Sequence, residues 1–403
     1  MNPSFHIIDF VIVGIYAILL VGVGLWVSRT KKGHTKTAED YFLASKALPW
    51  WAIGSSLIAA NISAEQFIGM SGSGFAGGLA IASYEFMAAL TLIIVGKFFL
   101  PIFIKQGIYT IPEFVEKRFS TNLKTILAVF WIALFVFVNL TSVLFLGGKA
   151  IDTIVGVGDG SMIVPAIIAL AIFAAAYSLY GGLSAVAWTD VIQVALLVIG
   201  GIITTLIALH YVTPDGGILN GISHIADAAS DKFDMVLSRD NKEFNNLPGI
   251  YVLIGGLWVA NLYYWGFNQY IIQRTLAAKS LTEAQRGIAF AAFLKMLIPF
   301  IVVIPGIVAW VMYSEDLYGA RSAFEIAGST ALNNDNAYPW LISTFIPVGV
   351  KGLVLAALAA AIVSSLASML NSTSTIFTMD IYKPYINREA SQTKLVNVGR
   401  LTA

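Results

Sequence analysis

Residues 55–74 read "SSLIAANISAEQFIGMSGSG". The first half is an apolar run suited to a membrane helix. Asn61, Ser63, Glu65 and Gln66 then crowd together, and glycines follow at 69, 72 and 74. Lipid offers a free peptide group no hydrogen bond, so irregular backbone survives at membrane depth only where it is buried in protein or lines a cavity. The stretch therefore predicts a helix interrupted within the bilayer. Asn61 would satisfy freed backbone groups, and Glu65 and Gln66 would face a wet cavity. Ala59, Ala60, Ser63 and Ala64 are small enough for close packing. The alternative is an ordinary helix whose polar residues bond to its neighbours.

The composition fits a membrane setting. The 403 residues are 58% hydrophobic and 12% charged, with a mean hydropathy of +0.79. A soluble domain carries about 25% charged residues, so most of this surface is expected to face lipid. A net charge of +1 gives no case for a nucleic-acid partner. The absence of cysteine excludes disulfides, thiolate chemistry and cysteine metal sites. His6, His34, His210 and His224 lie near ends or loops, with no metal spacing and no base-paired nucleophile, so an enzyme is not expected. Asp9 precedes the first apolar run, which reads as a retained span rather than a cleavable signal.

Apolar runs of about 20 residues mark spans. Nine are expected, at 8–28, 49–71, 78–103, 123–150, 161–179, 185–210, 248–273, 287–313 and 347–378. A tenth begins near Leu395 and is read as cut off at Ala403, so a longer protein is expected. Every second loop is basic. Arg29, Lys31, Lys32, Lys36 and Lys46 follow the first span, and Lys105, Lys117, Arg118 and Lys124 the third. Arg274, Lys279 and Arg286 follow the seventh, and Lys383, Arg388 and Lys394 the ninth. The other loops carry Asp152 and Asp159, then Glu315, Asp316, Glu325 and Asp335. The positive-inside rule places the basic loops in the cytoplasm and the N-terminus outside. The outer loop 212–247 holds an amphipathic pattern at 218–229, readable as a helix or a lid.

Polar groups at span depth mark the chemistry. Glu85 and Lys295 are each costly alone, about 2.5–3.5 kcal/mol on insertion scales. They read either as a structural ion pair or as two walls of a sugar site. Lys97, near a helix end, can snorkel and needs no role. In "GGLWVANLYYWGFNQYIIQR", residues 255–274, the glycines loosen the helix, and Asn261, Asn268 and Gln269 are polar at depth. Tyr263, Tyr264 and Trp265 offer an aromatic face for a pyranose ring, or an interfacial belt. In "LAALAAAIVSSLASMLNSTSTIF" small residues precede Ser364, Ser365 and Ser368. Beside a broken helix they suggest an oxygen-lined cation site with no titrating group, which favours Na⁺ over a proton. Asp190, near the start of the sixth span, reads as an N-terminal helix charge or as a residue beside the ion path.

The chain resembles the sodium/solute symporter family along essentially its whole length, and within it the bacterial sodium/galactose branch. The carrying motifs are "AANISAEQFIGMSGSG", "YGGLSAVAWTDVIQ", "WVANLYYWGFNQYIIQR" and "ALAAAIVSSLASMLNSTSTIFTMDIY". The resemblance implies an all-α polytopic membrane protein with the leucine-transporter-type inverted-repeat fold. Residues 8–28 would be an extra leading helix, 49–210 the first five-helix repeat, and 248–403 an incomplete second repeat. It implies a Na⁺ site of Ala59 and Ile62 carbonyls, the Ala361 carbonyl, and the Ser364 and Ser365 hydroxyls. It implies a sugar site of Gln66, Glu85, Asn261 and Lys295, with Asn61 close by and Tyr264 as inner gate. Ala88 stands where the branch has a serine. The expected activity is Na⁺-coupled hexose symport across a bacterial inner membrane, with sugar and lipid as partners. Symport of another solute (proline, a vitamin or an anion), or a sugar sensor or channel on the same scaffold, are the alternatives.

Overall fold

The computed structural model describes residues 6–29, 34–63, 65–155, 160–247, 249–326 and 328–403. Lys31, Lys32, Ala64 and Asp159 lie outside the described residues. Among those described there are helices and no strand. Seven helices are long and apolar enough to cross a membrane, or eight if one bent pair counts as a single span. Nine were expected, and the difference comes from breaks.

The leading helix α1 (Ile7–Val27) begins with a capping box in which Asp9 accepts from His6 N at 3.0 Å. The same buried carboxylate also accepts from Gly349 N at 2.7 Å and Gly352 N at 2.8 Å. It thus joins α1 to the start of a later helix, Val350–Ile386, and satisfies backbone donors that lipid would leave bare.

The expected span 49–71 is split. Helix α2 (Trp50–Asn61) stops at Ile62, which takes an extended conformation, φ −79° and ψ 119°. A new helix, α3 (65–77), starts just beyond. Ser63 and Gln66 form its cap. Ser63 Oγ accepts from Glu65 N at 3.1 Å, and Gln66 Oε1 accepts from Ser63 N at 3.1 Å. This is close to the Ser-x-x-Gln capping box, with Ser63 Oγ taking the amide of Glu65 rather than that of Gln66. At Gly78 the chain turns with φ +74°, and a Cβ there would strike the Lys232 backbone. Helix α4 (83–106) follows. Because helical turns run on through Gly78, 65–106 forms a single helical run. The turn falls where the expected span 78–103 begins.

Helices α5 (Thr121–Val155), α6 (Ile163–Gly181) and α7 (Leu183–Tyr211) follow close to expectation. Between α6 and α7, Gly182 takes φ +65° with its Cα against the Tyr41 backbone, a place only glycine fits. The outer loop does contain a helix, α8 (Ile218–Ala228). The seventh expected span is bent by 74° at Gly255, between Lys242–Ile254 and α9 (Gly256–Phe267). It breaks again at Asn268, whose side chain caps α10 (Gln269–Leu276) by accepting from Tyr270 N at 3.3 Å. Helices α11 (Leu281–Ser314), α12 (Val350–Ile386) and α13 (Gln392–Thr402) follow; shorter helices such as Ile111–Arg118 and Ala337–Phe345 lie between the longer ones.

Helix α12 is the hub. Of its most apolar stretch 83% is buried, against 17% for α1 and for α5. Its alanines explain this: small residues let helices approach closely without a hydrophobic drive between them. Ala356 and Ala360 pack on Tyr16 and Leu20 of α1, and the Ala357 methyl lies beside Gly200 of α7.

Loops of alternate spans collect at opposite ends. At the basic end, Gln273 donates to Phe42 O at 2.7 Å, Gln269 to Tyr109 O at 3.0 Å, and Ala38 N to Gln392 Oε1 at 2.9 Å. At the other end, Lys232 reaches Ala76 O and His224 lies 3.0 Å from Glu315. Arg274 is the exception: it is buried, 1% exposed, and is no loop charge.

Candidate functional site

The break after α2 frees carbonyls that the next turn would otherwise bind. α12 brings Ser365 against them. Its Oγ lies 3.1 Å from Ala60 O, 3.4 Å from Ile62 O and 3.1 Å from Ala361 O. Ile62, Ala361 and Ser365, three of the positions that the family resemblance implied for the ion, are thus brought together. The Ala60 carbonyl, rather than that of Ala59, faces the hydroxyl. Ser364 turns away and donates to Asp190 Oδ1 at 2.5 Å. All the oxygens around Ser365 are neutral, a hard donor set suited to a small monovalent cation. Among the described residues no group of three or more His, Cys, Asp or Glu is placed to hold a metal.

Ser365 also borders a cavity of about 300 Å³. Asn61, Gln66 and Tyr264 line it, together with Glu65, Asn139 and Ser142. Three helices widen locally to i→i+5 bonding here, at Glu65–Met70, Leu134–Leu140 and Tyr263–Phe267. Such bulges are frequent at functional sites because they re-aim side chains. Asn61 Nδ2 donates to Tyr264 Oη at 2.9 Å, and Tyr264 Oη lies 2.7 Å from Tyr270 Oη. Asn61 Oδ1 is buried with no hydrogen-bond partner, an acceptor free for a ligand hydroxyl.

The charged pair sits apart from that cavity. Lys295 Nζ lies 2.5 Å from Glu85 Oε2, and 5.3 Å from the Trp265 ring centroid. Asn261 donates to Leu257 O of its own helix at 3.0 Å. The three consecutive aromatics separate. Tyr263 stacks on Trp131 at 5.5 Å, Tyr264 faces the cavity, and Trp265 is buried under Lys295. Ala88 is buried one turn from Glu85.

Asp190 is no helix-start charge. It lies a full two turns into α7, fully buried. Ser56 donates to it at 2.5 Å, and Arg274 pairs with it at 3.4 Å. Arg274 also donates to Ser56 at 2.6 Å and reaches Ser368. Four helices, α2, α7, α10 and α12, meet in this network next to the Ser365 oxygens.

A family model described as the sodium:solute symporter family matches residues 41–403. The chain belongs to the sodium:solute symporter family. It is 65% identical over 399 residues to a sodium/glucose cotransporter of Vibrio parahaemolyticus, covering 98% of this chain and 72% of that one. It is 33% identical over 419 residues to sodium/glucose cotransporter 4 of Mus musculus, covering 99% and 59%. To a Homo sapiens sodium/myo-inositol cotransporter it is 34% identical over 418 residues, covering 98% and 56%. It therefore spans under two thirds of the length of these two animal relatives. Its fold superposes on the substrate-bound outward-open state of a Na⁺-coupled sialic acid symporter with a TM-score of 0.85. Identity there is 28%, over 99% of this chain and 80% of that one. The chain thus has a leucine-transporter-type helical fold.

Two features of the candidate site escaped the sequence reading. Asn139 and Ser142, in "FVFVNLTSVLF", line the cavity; an amide in mid-span was the available signal, since such groups are costly in lipid. Arg274 as the partner of Asp190 had no signal, because a cation at a span end reads as a loop charge.

Proposed function

We propose that this chain carries out sodium-coupled symport of a hexose, galactose- or glucose-like, by alternating access. The observation that carries it is Ser365 set against the free carbonyls of Ala60 and Ile62 while bordering a cavity with Asn61, Gln66 and Tyr264. The ion and the substrate then share one wall, and that wall is a broken helix. The relatives' names, sodium/glucose and sodium/myo-inositol cotransporter, support a neutral polyol as cargo.

In this reading Na⁺ is held by the carbonyls of Ile62, Ala361 and the Ala59–Ala60 turn and by Ser365, with Ser364 turning in from Asp190. Bound Na⁺ ties α2 to α12 and fixes the outward-open cavity. Gln66 binds sugar hydroxyls in the cavity, with Asn61 close by and Tyr264 covering a ring face as the inner gate; Glu85, Asn261 and Lys295, which lie apart from that cavity in this conformation, complete the sugar site. Asp190 stands beside the ion's way out. Residues 49–210 supply the first inverted repeat and 248–403 an incomplete second one, with 8–28 as a leading helix. The basic end faces the cytoplasm of a bacterial inner membrane and the N-terminus faces outside.

The test is counterflow of labelled galactose, glucose, myo-inositol and proline into proteoliposomes, with Na⁺ and without. Na⁺-dependent exchange of a hexose is expected. Exchange of proline alone, or hexose exchange indifferent to Na⁺, would reject the reading.

A further inference from the structure

The basic end of α1 opens on a pocket that no transport step uses. Its volume is about 390 Å³, and Arg29, His34, Lys36 and Asp40 line it. Its depth is marked by aromatic side chains. Trp26 is 68% exposed just before it, and Tyr180 is 48% exposed beside it. Exposed Trp and Tyr belong at the headgroup level of a bilayer.

The charge of this pocket is unbalanced. Asp40, its one carboxylate, is already saturated. It accepts from Thr37 N and Thr37 Oγ1, each at 2.9 Å, and from Ser45 at 2.6 Å, and lies 2.8 Å from His34. Against the opposing pull of burial, these bonds hold its carboxyl well below the usual range. Behind it two cations meet at the C-terminus of α6. Lys36 donates to Gly181 O at 3.3 Å, and Arg400 to Tyr180 O at 3.5 Å. Both also lie over the Tyr180 ring, at 6.0 and 5.3 Å. The negative end of a helix favours a cation, but it does not call for two, with a third, Arg29, at the mouth. Burial, and then the Arg400 charge, push the Lys36 ammonium down to about 8. The Arg400 Nε is buried without a partner. Among the described residues no carboxylate is ion-paired with Arg29, Lys36 or Arg400.

We propose that Arg29, Lys36 and Arg400 bind an anionic phosphate group, supplied by the headgroup of an anionic phospholipid in the leaflet on the basic side. Basic pockets between spans on that side are suited to such headgroups. A phosphate would relieve the repulsion between Lys36 and Arg400, and its oxygens would give the buried Nε an acceptor. Arg recognises phosphate through a planar fork, and Lys as a point charge.

The experiment follows the unfolding midpoint of the purified chain in neutral detergent. Short-chain phosphatidylglycerol, short-chain phosphatidylcholine and inorganic phosphate are titrated in turn. Phosphatidylglycerol is expected to raise the midpoint saturably, and phosphatidylcholine to leave it unchanged. In Arg29→Gln/Lys36→Gln the half-saturating concentration should rise roughly tenfold or more. Lys36 also caps α6, so Arg29→Gln alone, whose side chain makes no hydrogen bond among the described residues, serves where the double variant does not fold. The same shift with inorganic phosphate would keep the site and make a soluble anion its source. No saturable shift with either, or equal shifts in the parent and Arg29→Gln, overturns the proposal. Neither Na⁺ nor sugar enters the readout, so failure of the transport reading leaves this result standing.

Discussion

Lys295 Nζ and Glu85 Oε2 lie 2.5 Å apart, with 1% and 4% of the two side chains exposed. Removing one partner of a buried pair strands the other charge, at about 3–5 kcal/mol. Lys295→Ala and Glu85→Ala should each lower the unfolding midpoint sharply and abolish sugar uptake. The double change Glu85→Gln with Lys295→Met should recover much of the stability but not sugar binding. Thermal unfolding and labelled-hexose binding in detergent separate these effects. Recovery of binding in the double variant would mean that the pair only holds α4 to α11.

Ser365 is the hydroxyl closest to the free carbonyls of the break. One neutral ligand is worth about 0.5–1.5 kcal/mol. Ser365→Ala should therefore raise the Na⁺ concentration for half-maximal uptake roughly 2- to 12-fold. Sugar uptake measured against Na⁺ reads this directly, and an unchanged half-saturation would remove Ser365 from the ion site.

Asp190 and Arg274 form a second buried pair, at 3.4 Å, tied by Ser56 and Ser364. Asp190→Ala leaves a guanidinium uncompensated in the core, which should cost about 3–5 kcal/mol. Circular dichroism melts of the variant check this. A melt matching that of the parent would show that Arg274 finds another partner.

Lys36 gives a pH signature. Its folded-state value is about 8, below the ordinary 10.5, through burial and the nearby Arg400 charge. Below about pH 8 the lysine is protonated in both states. Between about pH 8 and 10.5 the unfolded chain holds more protons, so stability rises with pH there. The gain is modest, because the side chain is half-buried and partly screened. The midpoint of the parent relative to Lys36→Gln should climb from about pH 8 to about pH 10. A flat difference would contradict it.

The broken helix was legible because Asn61, Glu65 and Gln66 have no business in lipid, and the Glu85–Lys295 pair because each charge needs a partner. The point of restart was also written, as Ser63-x-x-Gln66, a capping box masked by the apolar setting. The count of nine fell short at Ile62, where the expected span 49–71 breaks, and at Gly255, where the expected span 248–273 bends by 74°. Which oxygens converge on Ser365 was not readable, since carbonyl direction follows backbone angles rather than residue type. The same holds for Ser364, whose rotamer is decided by Asp190, far away in sequence.

The carbonyls that Ser365 meets, those of Ala60, Ile62 and Ala361, are uncharged, and the Asp190 carboxylate held by Ser364 is paired with Arg274. In the proposed reading these groups carry no net charge without the ion and one positive charge with Na⁺. Inward loading is then electrogenic and gains about 2.3 kcal/mol per 100 mV of membrane potential. The return of the empty carrier moves no charge and should be indifferent to voltage, so a potential drives the cycle in one direction only, through the ion-bound half.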